Sequence, residues 1–330
     1  MKQQHARIKG TGRSLPEKIL NNFDLEKIVD TSDEWIRTRT GMFERRVAAD
    51  DKATSDYTTE AAEQALQMAD MSAKDLDLII VGTVTPDYIV PSTACIVMKN
   101  LGIKNIPGFD ISAGCPGWIY TMSIATQYIE NGIYENVLVV GVDLLTRITN
   151  YKDRNTCVLF GDAAGATVIS AANKMDISRI IDSDITADGN YWELLIQPAG
   201  GSRNPASYNT VREGLHTIQM EGNKVFKLAV RSMYNSCKKL MKRNNLDTNS
   251  IDWVLPHQAN MRIIEALAKK LKVDISKVLV NIEKYGNTSA ATIPVALDEF
   301  IRSGKVRHGD VILMTSFGAG LTSGSILVRI

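Results

Sequence analysis

The feature that most constrains this chain is an internal repeat of a helix followed by a buried strand. Residues 76–82 read L-D-L-I-I-V-G and residues 251–255 read I-D-W-V-L, and each run follows a stretch with apolar residues at helical spacing. The aspartates in the two runs, Asp77 and Asp252, are 175 positions apart. This spacing predicts two α/β units of similar length.

A second correspondence lies further along each unit, where a helical stretch, an Asn-Gly or Ser-Gly stop and a β-branched strand follow one another. The strands are residues 137–141 and 311–314, whose first valines are 174 positions apart. Such apolar strands are typical of a sheet covered on both faces. The two offsets predict a duplicated α/β fold, with an N-terminal half over residues 1–175 and a C-terminal half over residues 176–330.

Composition excludes several classes of function. The 38 Lys+Arg nearly balance the 37 Asp+Glu, so no global charge favours a nucleic acid or a membrane surface as partner. No stretch reaches the roughly 18 uncharged residues of a membrane span, and no signal sequence opens the chain. The four cysteines form no C-x-x-C pair, so we expect no disulfide framework, no metal site and a cytoplasmic location.

Cys115 is the candidate nucleophile. It lies in S-A-G-C-P-G, directly before Pro116, which suits the first turn of a helix. We therefore expect the helix dipole to lower the pKa of its thiol. Under the repeat, this segment lies opposite G-N-T-S-A at residues 286–290. The remaining cysteines are interpreted as buried core thiols: Cys95, Cys157 and Cys237.

His257 is the best placed of the four histidines to assist a nucleophile. It ends the strand W-V-L-P-H before a new helix, which is where α/β folds bind their ligands. The segment G-N-T-S could serve only as a helix cap with a turn glycine, but a cap does not require Asn, Gly and Ser together.

With these residues and the motifs around them, the chain resembles the beta-ketoacyl-(acyl-carrier-protein) synthase III family, which belongs to the thiolase superfamily. The resemblance covers almost the whole length and is carried by several long motifs in order. These are G-T-G-R-S-L-P-E (10–17), D-T-S-D-E-W-I-R-T-R-T-G (30–41), F-D-I-S-A-G-C-P-G-W (109–118), L-F-G-D-A-A-G-A (159–166), P-H-Q-A-N-M-R-I-I (256–264) and Y-G-N-T-S-A-A-T-I-P (285–294).

The resemblance implies a thiolase-like duplicated five-layered α/β/α/β/α sandwich and a homodimer. It also implies a catalytic triad of Cys115, His257 and Asn287, with an oxyanion hole formed by the N–H groups of Cys115 and Ala319. The implied reaction is the decarboxylative condensation of an acyl-CoA primer with malonyl-acyl-carrier protein through an acyl-Cys115 intermediate, which initiates fatty acid synthesis. Both acyl compounds are substrates, and no cofactor is expected.

The same resemblance implies three groups of binding residues. The acyl-CoA contacts are Thr31, Trp35, Arg39, Arg154 and Asn260. The contacts with an acidic acyl carrier protein are Gln258, Arg262, Lys269 and Lys227. The acyl-pocket residues are Val90, Trp118 and Leu321, with Val90 at the position where many relatives carry a phenylalanine that closes the pocket across the dimer interface.

The motifs depart from the family pattern beside the nucleophile, where G-C-P-G-W replaces the common A-C-A-G-F. Primer length and branching therefore do not follow from the sequence. Two other hypotheses are a specialised ketosynthase-like acyltransferase of secondary metabolism and a non-catalytic module that binds acyl-CoA or carrier protein. The acyltransferase would also keep Cys115, so the intact His257 and Asn287 argue against it, whereas retention of Cys115, His257 and Asn287 together argues against the binding module.

Overall fold

The computed structural model describes residues 4–173 and 175–330, which form thirteen strands and eleven α-helices. The strands are β1 (His5–Ser14), β2 (Lys18–Asn21), β3 (Glu44–Val47), β4 (Leu78–Gly82), β5 (Gly108–Ile111), β6 (Asn136–Leu144), β7 (Asp162–Ala172), β8 (Arg179–Ala187), β9 (Leu195–Ile196), β10 (Gln219–Met220), β11 (Trp253–Pro256), β12 (Val311–Gly318) and β13 (Thr322–Arg329). The helices are α1 (Asn22–Glu26), α2 (Asp33–Thr40), α3 (Thr54–Ala69), α4 (Thr93–Asn100), α5 (Gly117–Glu130), α6 (Arg154–Cys157), α7 (Tyr208–Arg212), α8 (Gly222–Arg243), α9 (Met261–Leu271), α10 (Ile282–Tyr285) and α11 (Thr292–Arg302).

Two main sheets have the same topology. The first has the order β1-β7-β6-β4-β5, and the second has the order β8-β13-β12-β11. In the first sheet β4 is parallel to β6, and the pairs β6–β7 and β7–β1 are antiparallel. In the second sheet β11 is parallel to β12, and the pairs β12–β13 and β13–β8 are antiparallel. A fifth strand is reduced in the second sheet to a parallel bridge between Val254 and Val278. The predicted duplication is therefore present in the fold.

The repeated aspartates have the same task in both units. The Asp77 N–H donates to the carbonyl of Asn136, and its carboxylate accepts from the Asn136 N–H at 2.8 Å. Asp252 makes the same two bonds with Val311. Each pair fixes where neighbouring parallel strands begin. Asn136 and Val311 are 175 positions apart, so the offset of 174 predicted for the second correspondence is wrong by one residue.

Three clusters of buried apolar side chains pack the helices and sheets into five layers. One lies between α3, α4 and the outer face of the first sheet, and another lies between α8, α9 and the outer face of the second sheet. The third lies between the two sheets and is filled by α5 and α11. Within β4, Leu78 and Ile80 face the inner cluster while Ile79 and Val81 face the outer one, as a sheet covered on both sides requires. The predicted α/β/α/β/α sandwich is confirmed. The predicted boundary between the halves, after residue 175, lies next to Lys174, which is outside the described residues.

The two units touch through backbone as well as side chains. A Cβ atom on Gly141 in β6 would lie 2.2 Å from the carbonyl oxygen of Ala290 and 2.8 Å from the Trp118 Cβ. No side chain fits in that space, so the glycine allows the turn before α11 to rest directly on the first sheet.

We expect Gly141→Ala to destabilise the protein by about 2 kcal/mol or more, because the new methyl group meets rigid backbone. Gly189→Ala is the matched control, since a Cβ at that position meets nothing within 4 Å. Thermal unfolding of both variants measures the difference. Equal midpoints for the two variants would show that the contact between the units is not needed for stability.

Candidate active site

Cys115 lies at the junction of the two units. It precedes Pro116, the N-cap residue of α5, and is partly buried. Its Sγ accepts a hydrogen bond from the Ser289 hydroxyl at 3.6 Å, across a sequence separation of 174 residues. Cys157 and Cys237 are buried as predicted, but the interpretation of Cys95 as a core thiol is wrong because its side chain is exposed near the start of α4.

Asn287 lies on the same turn as Ser289. Its side-chain oxygen accepts the Ser289 N–H at 2.9 Å, and its backbone bonds to Leu159 and Gly161 on both sides. Because the side-chain oxygen of Asn287 already accepts this hydrogen bond, its amide nitrogen is the atom that can donate to a bound substrate.

His257 follows β11 and is 3% exposed. Its backbone N–H donates to the Thr315 carbonyl, and its Nδ1 lies 2.7 Å from the Thr292 hydroxyl. Burial lowers the pKa of His257 to about 3, so the imidazole is neutral at pH 7. The turn of residues 287–292 thus contacts Cys115 on one side and His257 on the other.

Two backbone N–H groups lie where residues 114–115 pack against residues 318–319. A Cβ on Gly318 would lie 2.5 Å from the Cys115 nitrogen, and a Cβ on Gly114 would lie 2.9 Å from the Ala319 nitrogen. In the described chain, neither the Cys115 N–H nor the Ala319 N–H donates to another backbone group. The glycines therefore bring together two free donors, which is the arrangement that an oxyanion hole needs.

The expectation of a lowered thiol pKa at Cys115 is wrong. Burial raises the pKa of Cys115 to about 12, and the nearby Asp143 adds to the effect, while the bond from Ser289 opposes it. A helix N-terminus supplies at most about 2 kcal/mol, or roughly 1.5 pKa units. Desolvation outweighs the dipole, so the resting nucleophile is a thiol.

Asp143 at the end of β6 is a site residue that sequence reasoning missed. It is fully buried and accepts hydrogen bonds from Thr83, Val84, Thr85 and the Ala290 N–H. Burial raises the pKa of Asp143, and these donors oppose the shift. The carboxylate anchors the turn of residues 287–292 to the first sheet. A lone acidic residue closing the apolar run of 137–142 was the available signal.

Two of the predicted acyl-CoA contacts, Arg39 and Arg154, lie beside a third, Trp35 on α2. The guanidinium carbons of Arg39 and Arg154 lie 4.9 and 5.0 Å from the Trp35 ring centroid. The Thr31 hydroxyl is buried without a hydrogen-bond partner. An aromatic ring with two cations suits a nucleotide base and its phosphates. Asn260 caps α9 by accepting the Arg262 N–H.

A basic face extends over α8 and α9. Helix α8 contains seven Lys or Arg residues and no acidic residue. Lys227, Arg262 and Lys269 are all exposed, and Arg262 lies over the ring of Phe226, which joins the two helices. This face is suited to an acidic partner.

Gln258 does not belong to this face. It is 1% exposed, and its amide donates to the carbonyls of Pro256 and Leu279 and accepts from the Asn281 N–H. The prediction that Gln258 contacts a carrier protein is wrong, because its side chain is fully used in holding the loop after β11.

The three predicted acyl-pocket residues have different surroundings. Trp118 is 1% exposed in the core between the sheets, and its indole nitrogen has no hydrogen-bond partner among the residues that the structure describes. Leu321 packs in the cluster beneath α8. Val90 is 82% exposed, so it does not line a pocket of its own chain.

Within the described residues, no group of three or more His, Cys, Asp or Glu side chains could hold a metal ion. None of the helices in that part of the chain is long and apolar enough to cross a membrane.

Comparison with known proteins places this geometry in a family. The model of 3-oxoacyl-[acyl-carrier-protein (ACP)] synthase III matches residues 109–189, and the model of its C-terminal part matches residues 241–330. A beta-ketoacyl-[acyl-carrier-protein] synthase III from Caldanaerobacter subterraneus subsp. tengcongensis is 55% identical, over 98% of this chain and 97% of its own length.

Solved structures agree. The crystal structure of 3-oxoacyl-[acyl-carrier-protein] synthase III from Aquifex aeolicus VF5 has a TM-score of 0.90 and 47% identity, covering 98% of this chain and 100% of that chain. The priming beta-ketosynthase from the R1128 polyketide pathway has a TM-score of 0.91 at 31% identity, covering 99% and 97%.

The duplicated sandwich is the thiolase fold, and the protein is an acyltransferase of the ketosynthase class. The chain belongs to the beta-ketoacyl-[acyl-carrier-protein] synthase III family of fatty acid synthesis.

We expect the rate of Cys115 alkylation by iodoacetamide to keep rising with pH up to about pH 10, because the thiolate stays a minor form below a pKa of about 12. Ser289→Ala should slow the reaction further, since its hydrogen bond lowers the thiol pKa. Peptide mass spectrometry measures the rate, with exposed Cys95 as internal reference. An alkylation rate that stops rising between pH 7 and pH 10 would contradict the raised pKa of Cys115.

Proposed function

We propose that this chain condenses an acyl-CoA primer with malonyl-acyl-carrier protein to give 3-oxoacyl-acyl-carrier protein. The observation that supports the proposal is the turn of residues 287–292, which bonds to Cys115 through Ser289 and to His257 through Thr292. The proposed mechanism uses four donors. They are the N–H groups of Cys115 and Ala319, the amide nitrogen of Asn287 and the Nε2 of His257.

In the first half-reaction the Cys115 sulfur attacks the thioester carbonyl of acyl-CoA. A carbon–sulfur bond forms on Cys115, the bond to CoA breaks, and the proton of Cys115 leaves with the CoA thiol. The resting group is a thiol, so it loses its proton as it attacks rather than beforehand. The N–H groups of Cys115 and Ala319 stabilise the oxyanion, and each such donor lowers the barrier by about 3 kcal/mol.

In the second half-reaction malonyl-acyl-carrier protein loses carbon dioxide. Negative charge develops on its thioester oxygen, where His257 and Asn287 donate hydrogen bonds. Neutral His257 suits this step because a group that stabilises the enolate should not also protonate its carbon. The enolate carbon attacks the acyl group, a carbon–carbon bond forms, and the bond from the acyl group to the Cys115 sulfur breaks. The released thiolate takes up one proton from solvent and returns to the thiol.

The substrates of the two half-reactions bind at different surfaces in this proposal. Acyl-CoA binds with its nucleotide at Trp35, between Arg39 and Arg154, and the Thr31 hydroxyl offers a further donor. Asn260, beside the strand end that carries His257, contacts the pantetheine arm.

The acidic carrier protein docks on the basic face of α8 and α9, through Lys227, Arg262 and Lys269. Charge complementarity of this kind speeds encounter and selects the partner.

A homodimer completes the acyl pocket in this proposal. Tyr88, Ile89 and Val90 are 63%, 91% and 82% exposed, and such an apolar stretch on the surface favours a protein partner. Val90 then closes the pocket of the second copy, with Trp118 and Leu321 supplied from within the chain. The scattered free cysteines support a reducing, cytoplasmic location.

The triad is tested by separating the two half-reactions. Cys115→Ala should abolish the mass increase that acyl-CoA produces on the intact protein. His257→Ala and Asn287→Ala should keep that increase but lower condensation by about 100-fold or more, because each removes a donor used at the enolate. Full condensation by Asn287→Ala would refute the role given to that side chain.

The docking surface is tested by charge reversal. Arg262→Glu with Lys269→Glu should weaken binding of malonyl-acyl-carrier protein and reduce its salt dependence, while acylation by acyl-CoA stays nearly unchanged. Lys104→Glu is the control, because it reverses an exposed lysine before β5, an edge strand of the first sheet. Helices α8 and α9 pack on the second sheet instead. Equal loss of both activities, or an equal effect of the control, would contradict the assignment.

A further inference from the structure

The two ring nitrogens of His257 have different surroundings. Nδ1 lies 2.7 Å from the Thr292 hydroxyl, at the first residue of α11. Nε2 has no hydrogen-bond partner among the described residues and is the atom left for a ligand. Because the buried ring is neutral, it carries one hydrogen, and the position of that hydrogen decides whether Nε2 donates or accepts.

The Thr292 hydroxyl has one hydrogen and two acceptors within reach. Besides Nδ1, its oxygen lies 3.1 Å from the carbonyl oxygen of Ser289. That carbonyl already accepts the backbone N–H of Thr292. Nδ1, in contrast, has no other donor in the described chain. Because the Ser289 carbonyl already accepts that N–H, Nδ1 is the acceptor left unmet, and this favours donation from the hydroxyl to Nδ1.

We infer that Thr292 is a positioning residue that selects the tautomer of His257. Its hydroxyl donates to Nδ1, and the single imidazole hydrogen is therefore held on Nε2, where it points at the developing enolate oxygen. With the hydrogen on Nδ1, a lone pair on Nε2 would face that oxygen and repel it. This inference rests on the proposed condensation, because only that step needs Nε2 as a donor.

Thr292 is also linked to the nucleophile, Cys115, through hydrogen bonds of Ser289. Ser289 donates through its hydroxyl to Cys115 and accepts through its carbonyl from Thr292. One turn of backbone thus sets the Cys115 sulfur and the His257 ring relative to each other. A Thr292 variant that keeps this backbone bond changes the tautomer without disturbing Cys115.

Thr292→Val and Thr292→Ser form the matched pair, because valine keeps the shape and loses the hydroxyl whereas serine keeps the hydroxyl. We expect Thr292→Val to lower kcat for condensation by about tenfold or more, with an unchanged KM for malonyl-acyl-carrier protein. Thr292→Ser should stay near the wild-type rate. Acylation of Cys115 by acyl-CoA, read by intact mass, should be unchanged in both variants and reports that they are folded.

The tautomer itself is measured by long-range ¹H–¹⁵N correlation on protein labelled at its four histidines, with His257→Ala to assign the signals. Wild-type protein and Thr292→Ser should show hydrogen on Nε2, and Thr292→Val should show hydrogen on Nδ1 or a mixture. Hydrogen on Nδ1 in the wild type overturns the inference even if Thr292→Val does not fold. Wild-type condensation by Thr292→Val also overturns it, whereas absence of acyl-Cys115 in the wild type overturns the proposed function instead.

Discussion

The active site depends on backbone contact between the two repeats where no side chain intervenes. Gly318 of the second repeat touches the Cys115 nitrogen of the first, and Gly141 of the first repeat touches the Ala290 carbonyl of the second. These contacts bring a helix start and a turn from distant parts of the chain within hydrogen-bonding range, as the bond between Ser289 and Cys115 shows. The site is therefore a product of the duplication: neither repeat contains the nucleophile and the side-chain donors together.

Burial sets the chemistry of this junction. Desolvation raises the pKa of Cys115, lowers that of His257 and raises that of Asp143, so each group is pushed towards its neutral form. Hydrogen bonds gain strength in such a low-dielectric environment, and donors aimed at developing charge are then worth more than in water. A site of this kind stabilises an oxyanion or an enolate with oriented dipoles rather than with fixed charges. Ser289 and Thr292 matter because they determine which atoms of the site are free to donate.

Much of this arrangement could be predicted from the sequence, because it depends on local signals. Helical spacing and apolar strands predicted the duplicated α/β fold, and the family resemblance implied its five layers. The position of Cys115 before a helix and of His257 after a strand predicted where both lie. The failures concern tertiary burial. The sign of the Cys115 pKa shift, the burial of Gln258 and the exposure of Cys95 all depend on what packs around them. The role of Asp143 was missed because its donors come from two segments that are far from it in the sequence, residues 83–85 and Ala290. The triad, the substrate contacts and the half-domain boundary stay predictions.

The most direct test of the central claim is a crystal structure of the protein after reaction with acyl-CoA. We expect an acyl group on the Cys115 sulfur, with its carbonyl oxygen about 2.7–3.1 Å from the nitrogens of both Cys115 and Ala319. Asn287 and His257 should face the same carbonyl carbon from the side of the second repeat, with room for a second thioester between them. An acyl group on another residue, or a carbonyl oxygen turned away from both backbone nitrogens, would contradict the account.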